Sequence, residues 1–274
     1  MKQARIILWG LVILLIGAGV FFGIKFAVKQ VEYNKEDIQV EELAHQVFQW
    51  PDETTDSKNS HPKDIFDMPG PLPVKDEEEP EDDPYDYSVL KNTNEDCIGW
   101  VRIDGTEINH PVMWKQDDNR YYLNHDIYGN YATHGTPFLD GTAFPEGQLI
   151  IHGHNLTDGH FFASLLKYKD PSFLKEHPYI TLYLFEEKQQ YEIFAVCSFN
   201  SVTDYSIYEI PIQEYPEKVK EYIQKIRKKA LYQTEIEVPE EDRLLILSTC
   251  EYSHENGRFI VIAHQIKGEN KNGK

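Results

Sequence analysis

The chain has 274 residues, of which 46 are acidic and 27 are basic, so its formal charge at pH 7 is −19. Nucleic-acid binding needs Lys and Arg clustered against phosphates, and this acidic balance argues against it. The length allows one or two folded domains. The three cysteines are too few and too widely spaced for a disulfide framework or a CxxC metal site, which leaves at least one free thiol.

The first 30 residues carry four basic side chains and no acid, on both flanks of an uncharged run from Ile6 to Ile24. As a helix, these 19 residues would be about 28 Å long, close to the roughly 30 Å hydrocarbon core of a bilayer. The alternative is a cleaved signal peptide, but its apolar region is usually shorter, and the segment that follows is a poor cleavage site. We therefore predict a cytoplasmic tail over residues 1–5 and a transmembrane signal-anchor over residues 6–24. The flanking charges give only a slight preference for placing the rest of the chain outside.

Residues 25–86 are predicted to form a stalk followed by a spacer. Apolar residues at the spacing of one helix face predict a short stalk helix within residues 31–50. Seven prolines then follow Trp50, and the run from Asp76 to Asp86 contains eight acids and no base. Such a composition cannot bury enough apolar area to offset chain entropy, so we predict a disordered tether.

The folded domain is predicted over residues 87–267, with a disordered tail over residues 268–274. Six strand-like runs lie between Gly, Pro and Asn-rich turns: Ile98–Ile103, Gln148–His152, Tyr179–Phe185, Tyr191–Ser198, Leu244–Ser248 and Phe259–Gln265. Many short strands with such turns predict a β-barrel or a sandwich. One helix, Glu217–Leu231, is opened by Pro216 and has an apolar face and a cationic face. The cationic face could bind a partner, although it is more often simply solvated.

Cys250 ends a strongly apolar strand, and Arg258 begins the next strand after the turn-forming Glu255-Asn256-Gly257. If the two strands pair as a hairpin, Cys250 and Arg258 become close neighbours. A guanidinium beside a thiol lowers the pKa of the thiol and can stabilise an oxyanion, and a cysteine nucleophile needs both. The alternative is a buried structural cysteine, which would be the better interpretation without the arginine.

A second apolar strand ends in His152-Gly153-His154-Asn155, a place where a side chain can project from a sheet edge. His154 is the better candidate for a catalytic base, because it follows the strand end, whereas His152 belongs to the strand body. The two histidines could instead bind zinc, but no Cys, Asp or third His lies at matching local spacing. His154 precedes Cys250 by 96 positions, the reverse of the order in papain-like hydrolases, and no caspase motif is present.

These motifs together resemble the sortases, the cysteine transpeptidases of Gram-positive cell surfaces, which combine a membrane anchor, Gly-His-Asn, Leu-Ser-Thr-Cys and a following Gly-Arg strand. Residues 94–101, 108–112 and 119–124 and the helix before the cysteine strand resemble class B in particular. The resemblance covers about residues 87–267. It implies a closed β-barrel with an N-terminal helix and a helix inserted before the cysteine strand.

In sortases a cysteine attacks the carbonyl after the Thr of a C-terminal sorting signal, and the resulting thioester is transferred to an amine. The resemblance implies that Cys250 is the nucleophile and that His154 is the general acid and later the base. Arg258 is implied as the oxyanion or substrate-aligning group. Four further residues are implied to contact the substrate: Asn119, Thr203, Ser248 and Glu251. Two features depart from the family, the short separation of eight positions between cysteine and arginine and the long acidic spacer.

The implied partners are surface proteins with a signal such as Asn-Pro-Gln-Thr-Asn or Pro-x-Thr-Gly, and an amine of a cell-wall precursor or a pilin. The implied location is the cell membrane, with a single membrane pass and an extracellular catalytic domain. No cofactor is implied, and since the acidic calcium cluster of class A is not apparent, we expect no metal. Two other functions remain open: a thiol peptidase that uses water as the acceptor, and a non-catalytic surface binding module.

Overall fold

The computed structural model describes residues 2–49, 84–141, 149–156, 159, 161–211 and 215–266. The chain divides into two compact units, Met1–Asp83 and Pro84–Lys274. The predicted spacer from Trp50 onward, apart from its last three residues, lies outside the described residues, and so does the predicted tail over residues 268–274.

In the described part of the first unit, residues Lys2–Phe48 form a helix, α1. This single helix includes both the uncharged run and most of the segment in which a separate stalk helix is predicted. Counting only the residues that the structure describes, no helix combines the length and the hydropathy needed to cross a bilayer. The transmembrane segment over residues 6–24 stays a prediction.

The described residues of the second unit form eight strands: β1 Cys97–Arg102, β2 Asn109–Met113, β3 Phe138–Leu139, β4 Leu149–His152, β5 Tyr179–Leu184, β6 Glu187–Asn200, β7 Leu244–Cys250 and β8 Gly257–Ile266. They close into a barrel in the order β1-β2-β3-β4-β7-β8-β6-β5, with β5 pairing back onto β1. Neighbouring strands are antiparallel except for the parallel pairs β2–β3 and β4–β7. The predicted closed β-barrel is therefore confirmed.

The helix α2 at Tyr87–Thr93 precedes β1, and the other helices lie between strands: α3 Pro171–Glu176, α4 Pro216–Lys229 and 3₁₀ helices at Tyr121–Leu123, Phe162–Lys169 and Tyr205–Ile207. The N-terminal helix (α2) and the helix before the cysteine strand (α4) are thus both present. α4 begins at Pro216 because proline has a preset φ and needs no hydrogen-bond acceptor at the first helical position. Basic residues in its last turn complement the negative end of the helix dipole.

The side chains of β7 divide between two hydrophobic cores, because successive residues of a strand point to opposite faces. Leu245 and Leu247 join a cluster to which all eight strands contribute, the interior of the barrel. Ile246 joins a second cluster, which packs beneath α4. Ser248 and Cys250 continue the row of Ile246 along the outer face of the barrel, past the area that α4 covers. The strand pattern therefore places the thiol outside the barrel.

Candidate active site

A cavity of about 580 Å³ lies on the outer face of the barrel, where strands β3, β4, β7 and β8 meet. Cys250 at the end of β7 and Arg258 near the start of β8 both line it. His154, two residues beyond the end of β4, lines it as well. The three residues singled out for chemistry in the sequence are thus brought together in one cavity.

Cys250 and Arg258 are direct partners across the antiparallel pair β7–β8. Nη1 of Arg258 donates to Sγ of Cys250 at 3.2 Å and also to the carbonyl oxygen of Gly257 at 3.2 Å. In the turn between the strands, Asn256 adopts a φ of 53°, a left-handed conformation that asparagine tolerates well. The hairpin predicted from the sequence is confirmed, and it holds a guanidinium against the thiol.

The ends of β4 and β7 are joined by several hydrogen bonds, which fix the segment that carries His154. The amide of Gly153 donates to the carbonyl oxygen of Ser248 at 3.0 Å, and Oγ1 of Thr249 donates to the carbonyl oxygen of Gly153 at 2.8 Å. Position 153 must be glycine, because a Cβ there would lie 2.5 Å from the ring of Phe162. These contacts place His154 beside the end of the cysteine strand.

Asn155 and Tyr252 extend this connection on the other side of His154. Nδ2 of Asn155 donates to the carbonyl oxygen of Cys250 at 2.9 Å, and the Tyr252 hydroxyl donates to the carbonyl oxygen of Asn155 at 3.3 Å. Asn155 is buried. The histidine segment and the cysteine strand are therefore held in register by side chains as well as by the backbone.

The hydrogen bond of His154 fixes its tautomer. Nε2 lies 2.8 Å from the carbonyl oxygen of Leu123. Since a carbonyl oxygen only accepts, Nε2 carries a hydrogen in this arrangement. Nδ1 is then the ring nitrogen that can gain and lose a proton.

Of the four predicted substrate contacts, Ser248 and Asn119 line the cavity. The Ser248 hydroxyl is 2.7 Å from the hydroxyl of Tyr208. Burial raises the pKa of Tyr208 to about 12, so its phenol stays protonated at neutral pH. Nδ2 of Asn119 donates to Oδ1 of Asp140 at 2.9 Å. Ser248 and Asn119 therefore both lie where a substrate in the cavity could contact them.

Thr203 and Glu251 are not among the described residues that line the cavity. Thr203 is exposed, and its Oγ1 donates to Oδ2 of Asp204 at 3.3 Å. Glu251 is only 5% exposed, and its carboxylate is bound by other side chains of the protein. The family resemblance implied a substrate contact for Glu251, but the side chain of Glu251 instead enters a buried polar cluster.

The barrel and this cavity agree with what comparisons with known proteins find. The family model for the sortase domain matches residues 101–266. Sortase B of Listeria monocytogenes is 34% identical over 179 residues, which is 63% of this chain and 70% of that protein. The chain belongs to the class B sortases.

Solved sortase B structures share the fold of this sortase. The complex of Staphylococcus aureus sortase B with substrate is 27% identical, with a TM-score of 0.59, and the match covers 66% of this chain and 78% of that one. A sortase B structure complexed with triglycine is also 27% identical, with a TM-score of 0.59, and the match covers 66% of this chain and 85% of that one.

Besides the predicted residues, the cavity of this sortase contains Asp140 and Tyr208, which the sequence analysis did not single out, and His152, which it set aside as part of the strand body. Nε2 of His152 lies 3.3 Å from Oδ2 of Asp140, and both residues line the cavity, as does Tyr208. His152 ends β4 and pairs with Ser248 of β7, so it lies on the face that carries Cys250, because alternate strand residues share a face. In the part of the chain that the structure describes, no three His, Cys, Asp or Glu side chains are placed to hold a metal ion, so the zinc alternative gains no support.

The three thiols of this sortase should differ sharply in reactivity. Cys97 and Cys197 are 0% exposed, and burial raises the pKa of each thiol to about 12. Cys250, by contrast, is partly exposed and accepts a hydrogen bond from Arg258. The thiolate is the nucleophile, so we expect iodoacetamide to modify Cys250 alone in the folded protein at neutral pH. Peptide mapping by mass spectrometry checks this. Equal labelling of the three cysteines in folded protein would contradict it.

Proposed function

We propose that this class B sortase is a membrane-anchored cysteine transpeptidase that cleaves a C-terminal sorting signal after Thr and transfers the new acyl group to an amine. The observation that carries the proposal is the 3.2 Å contact between Nη1 of Arg258 and Sγ of Cys250, in a cavity that His154 also lines. The relatives support it, because sortase B structures were solved in complex with substrate and with triglycine.

In the first step the Cys250 thiolate attacks the carbonyl carbon of the Thr residue, and the carbonyl π electrons move onto oxygen. Arg258 is placed to stabilise the negative charge at both stages, first on sulfur and then on the oxyanion. The C–N bond then breaks as the carbonyl re-forms, and the leaving nitrogen needs a proton. Nδ1 of protonated His154 supplies it, while Nε2–H remains bound to Leu123.

In the second step an amine attacks the thioester. His154 is now neutral at Nδ1 and accepts the proton that the amine loses, and the C–S bond breaks to return the Cys250 thiolate. Each turnover thus restores both groups to their starting protonation states. The covalent intermediate is what allows an amine to replace water as the acceptor.

The proposed substrates are surface proteins with a signal of the Asn-Pro-x-Thr-Asn or Pro-x-Thr-Gly kind, and Asn119 and Ser248 are the proposed contacts. The proposed acceptor is an amine of a cell-wall precursor or a pilin. We place the enzyme on the outer side of the cell membrane, anchored through residues 6–24, because that run is uncharged and of spanning length and the substrates are external. The spacer before residue 87 would then act as a tether.

Transfer and hydrolysis are separated by the masses of the products. We expect the full-length protein, incubated with a sorting-signal peptide and triglycine, to release mostly an N-terminal fragment that carries triglycine. Without triglycine, cleavage should be slower and should give the free acid. If the free acid is the only product at any triglycine concentration, the enzyme is a thiol peptidase. If no peptide with an Asn-Pro-x-Thr-Asn or a Pro-x-Thr-Gly signal is cleaved, the proposed substrates are wrong.

A further inference from the structure

Glu251 follows Cys250 directly, yet its carboxylate is turned away from the cavity into a cluster of donors. Oε2 accepts from the Ser253 hydroxyl at 2.6 Å and from the Ser198 hydroxyl at 3.3 Å. Oε1 accepts from Nζ of Lys169 at 3.2 Å. These donors belong to the turn after β7, to β6 and to the 3₁₀ helix at Phe162–Lys169. One carboxylate therefore links three separate parts of the fold.

The charge of Glu251 is stable across the working pH range. Burial alone would raise the pKa of Glu251, but hydrogen bonds from Ser253 and Lys169 and the positive charge of Lys169 outweigh it and lower this pKa to about 2. The sign follows from linkage: the ionised network stabilises the fold above the unfolded pKa of about 4.3 and is lost only as the pH falls toward about 2. The carboxylate therefore stays ionised near neutral pH, where it faces the ammonium of Lys169 and the ring of His254, whose Nδ1 lies 3.1 Å from Oε2.

The backbone of Glu251 also closes the hairpin. Its amide donates to the carbonyl oxygen of Gly257 at 3.0 Å, and the amide of Gly257 donates to the carbonyl oxygen of His254 at 3.2 Å. A Cβ on residue 257 would lie 2.2 Å from the carbonyl oxygen of Glu251. Only glycine therefore allows the backbones of residues 251 and 257 to come this close. Arg258 is the next residue. A shift of Glu251 would therefore be transmitted to the arginine that meets the thiol.

Lys169 contacts the turn of the hairpin and its second strand, β8. Its ammonium pairs with Glu251, the residue after Cys250, and lies 5.7 Å from the ring centroid of Phe259, the residue after Arg258. A cation over an aromatic face is attracted by the ring quadrupole. Lys169 therefore contacts the residue that follows Cys250 and the residue that follows Arg258.

We propose that Glu251 and Lys169 are positioning residues, whose ion pair clamps the hairpin so that Arg258 meets the sulfur of Cys250. This inference rests on the proposed function and gives Glu251 a different role from the substrate contact that the family resemblance implied. The clamp accounts for the buried, multiply bonded carboxylate beside the thiol. A direct contact between Glu251 and substrate would need this carboxylate in the cavity.

The clamp and a simple charge effect predict opposite results for Glu251→Gln. Removing an anion next to Cys250 lowers the pKa of the thiol if Glu251 acts only through its charge. If Glu251 is a clamp, the amide weakens the pair with Lys169, the contact between Arg258 and sulfur loosens, and the thiol pKa rises. The pH midpoint of Cys250 alkylation therefore distinguishes the two.

The experiment uses the full-length protein with Glu251→Gln and, as the matched control, Glu255→Gln in the exposed part of the same turn. We expect the midpoint of iodoacetamide labelling of Cys250 to rise by about one pH unit in Glu251→Gln, on the scale by which a nearby cation shifts a thiol pKa. We also expect kcat to fall about tenfold with KM changed less than about twofold, as for a group that acts on the reacting centre. The control should match the unchanged protein in both measurements.

A midpoint that stays in place or falls in Glu251→Gln overturns the proposal, and so does a raised KM with kcat unchanged, which would mark a substrate contact. If Glu251→Gln does not fold, Ser253→Ala removes the 2.6 Å hydrogen bond without altering charge and should raise the midpoint by a smaller amount. No shift in that variant also overturns the clamp. Labelling needs no substrate, so the labelling midpoint tests the clamp even if no peptide is cleaved. A failure to cleave any peptide would count against the proposed function alone.

Discussion

Replacing Cys250 with alanine is expected to lower the rate of sorting-signal cleavage by a factor on the order of 10⁴ or more. Without sulfur no thioester can form, and Arg258 and His154 are left with only water to act on. The Cys250→Ala protein should keep its fold, because Cys250 lies at the rim of the barrel and is partly exposed. A fluorescence-quenched signal peptide measures cleavage, and the melting temperature checks the fold.

The matched control is Cys197→Ala, which also removes a thiol but from a fully buried position beneath α4. We expect this variant to lose roughly 1 kcal/mol of stability, as for a small cavity, and to cleave at the normal rate. Cleavage by Cys250→Ala at more than about a tenth of the normal rate would be incompatible with a thioester mechanism.

Replacing Arg258 with alanine is expected to lower kcat by about 10²- to 10³-fold, the usual effect of losing one oxyanion donor. Nη1 of Arg258 donates to the sulfur of Cys250 and to the carbonyl oxygen of Gly257. Without the guanidinium, neither the thiolate nor the oxyanion of the transition state has a positive charge beside it. KM should change much less, because the contact strengthens only as charge develops. Steady-state cleavage of a signal peptide gives both constants.

Arg258→Lys should recover little of this activity, because an ammonium is a point charge and lacks the rigid fork of the guanidinium. Its control is Arg102→Lys on β1, where the arginine pairs with Asp104 outside the described cavity lining, and that variant should retain normal kcat. A kcat of Arg258→Ala within about threefold of that of the unchanged enzyme would contradict this role of Arg258.

The hairpin that joins Cys250 to Arg258 could be predicted from sequence, because two apolar strands separated by a short turn with Asn-Gly have few ways to pair. α4 was predicted within two residues, since Pro216 marks its start and its apolar positions recur with helical spacing. The family resemblance then supplied the barrel topology, which periodicity alone leaves open between barrel and sandwich.

Other parts of the fold could not be predicted from local pattern. β2 contains Pro111, which lacks an amide donor and obscures the strand signal, and β3 has only two residues. The parallel pair β4–β7 joins residues 96 positions apart in the chain, a pairing that no local signal encodes. Likewise, Glu251 is drawn away from the cavity by Lys169, 82 positions earlier in the chain.

The most direct test of the account is the intact mass of the full-length protein after incubation with peptides carrying LPxTG, NPxTN and PPxTG signals. We expect at least one peptide to add the mass of its fragment ending at Thr, and the adduct to map to Cys250 and to disappear on addition of hydroxylamine. No adduct with any signal, or the same adduct on the Cys250→Ala protein, would contradict the proposal that Cys250 forms the acyl-enzyme.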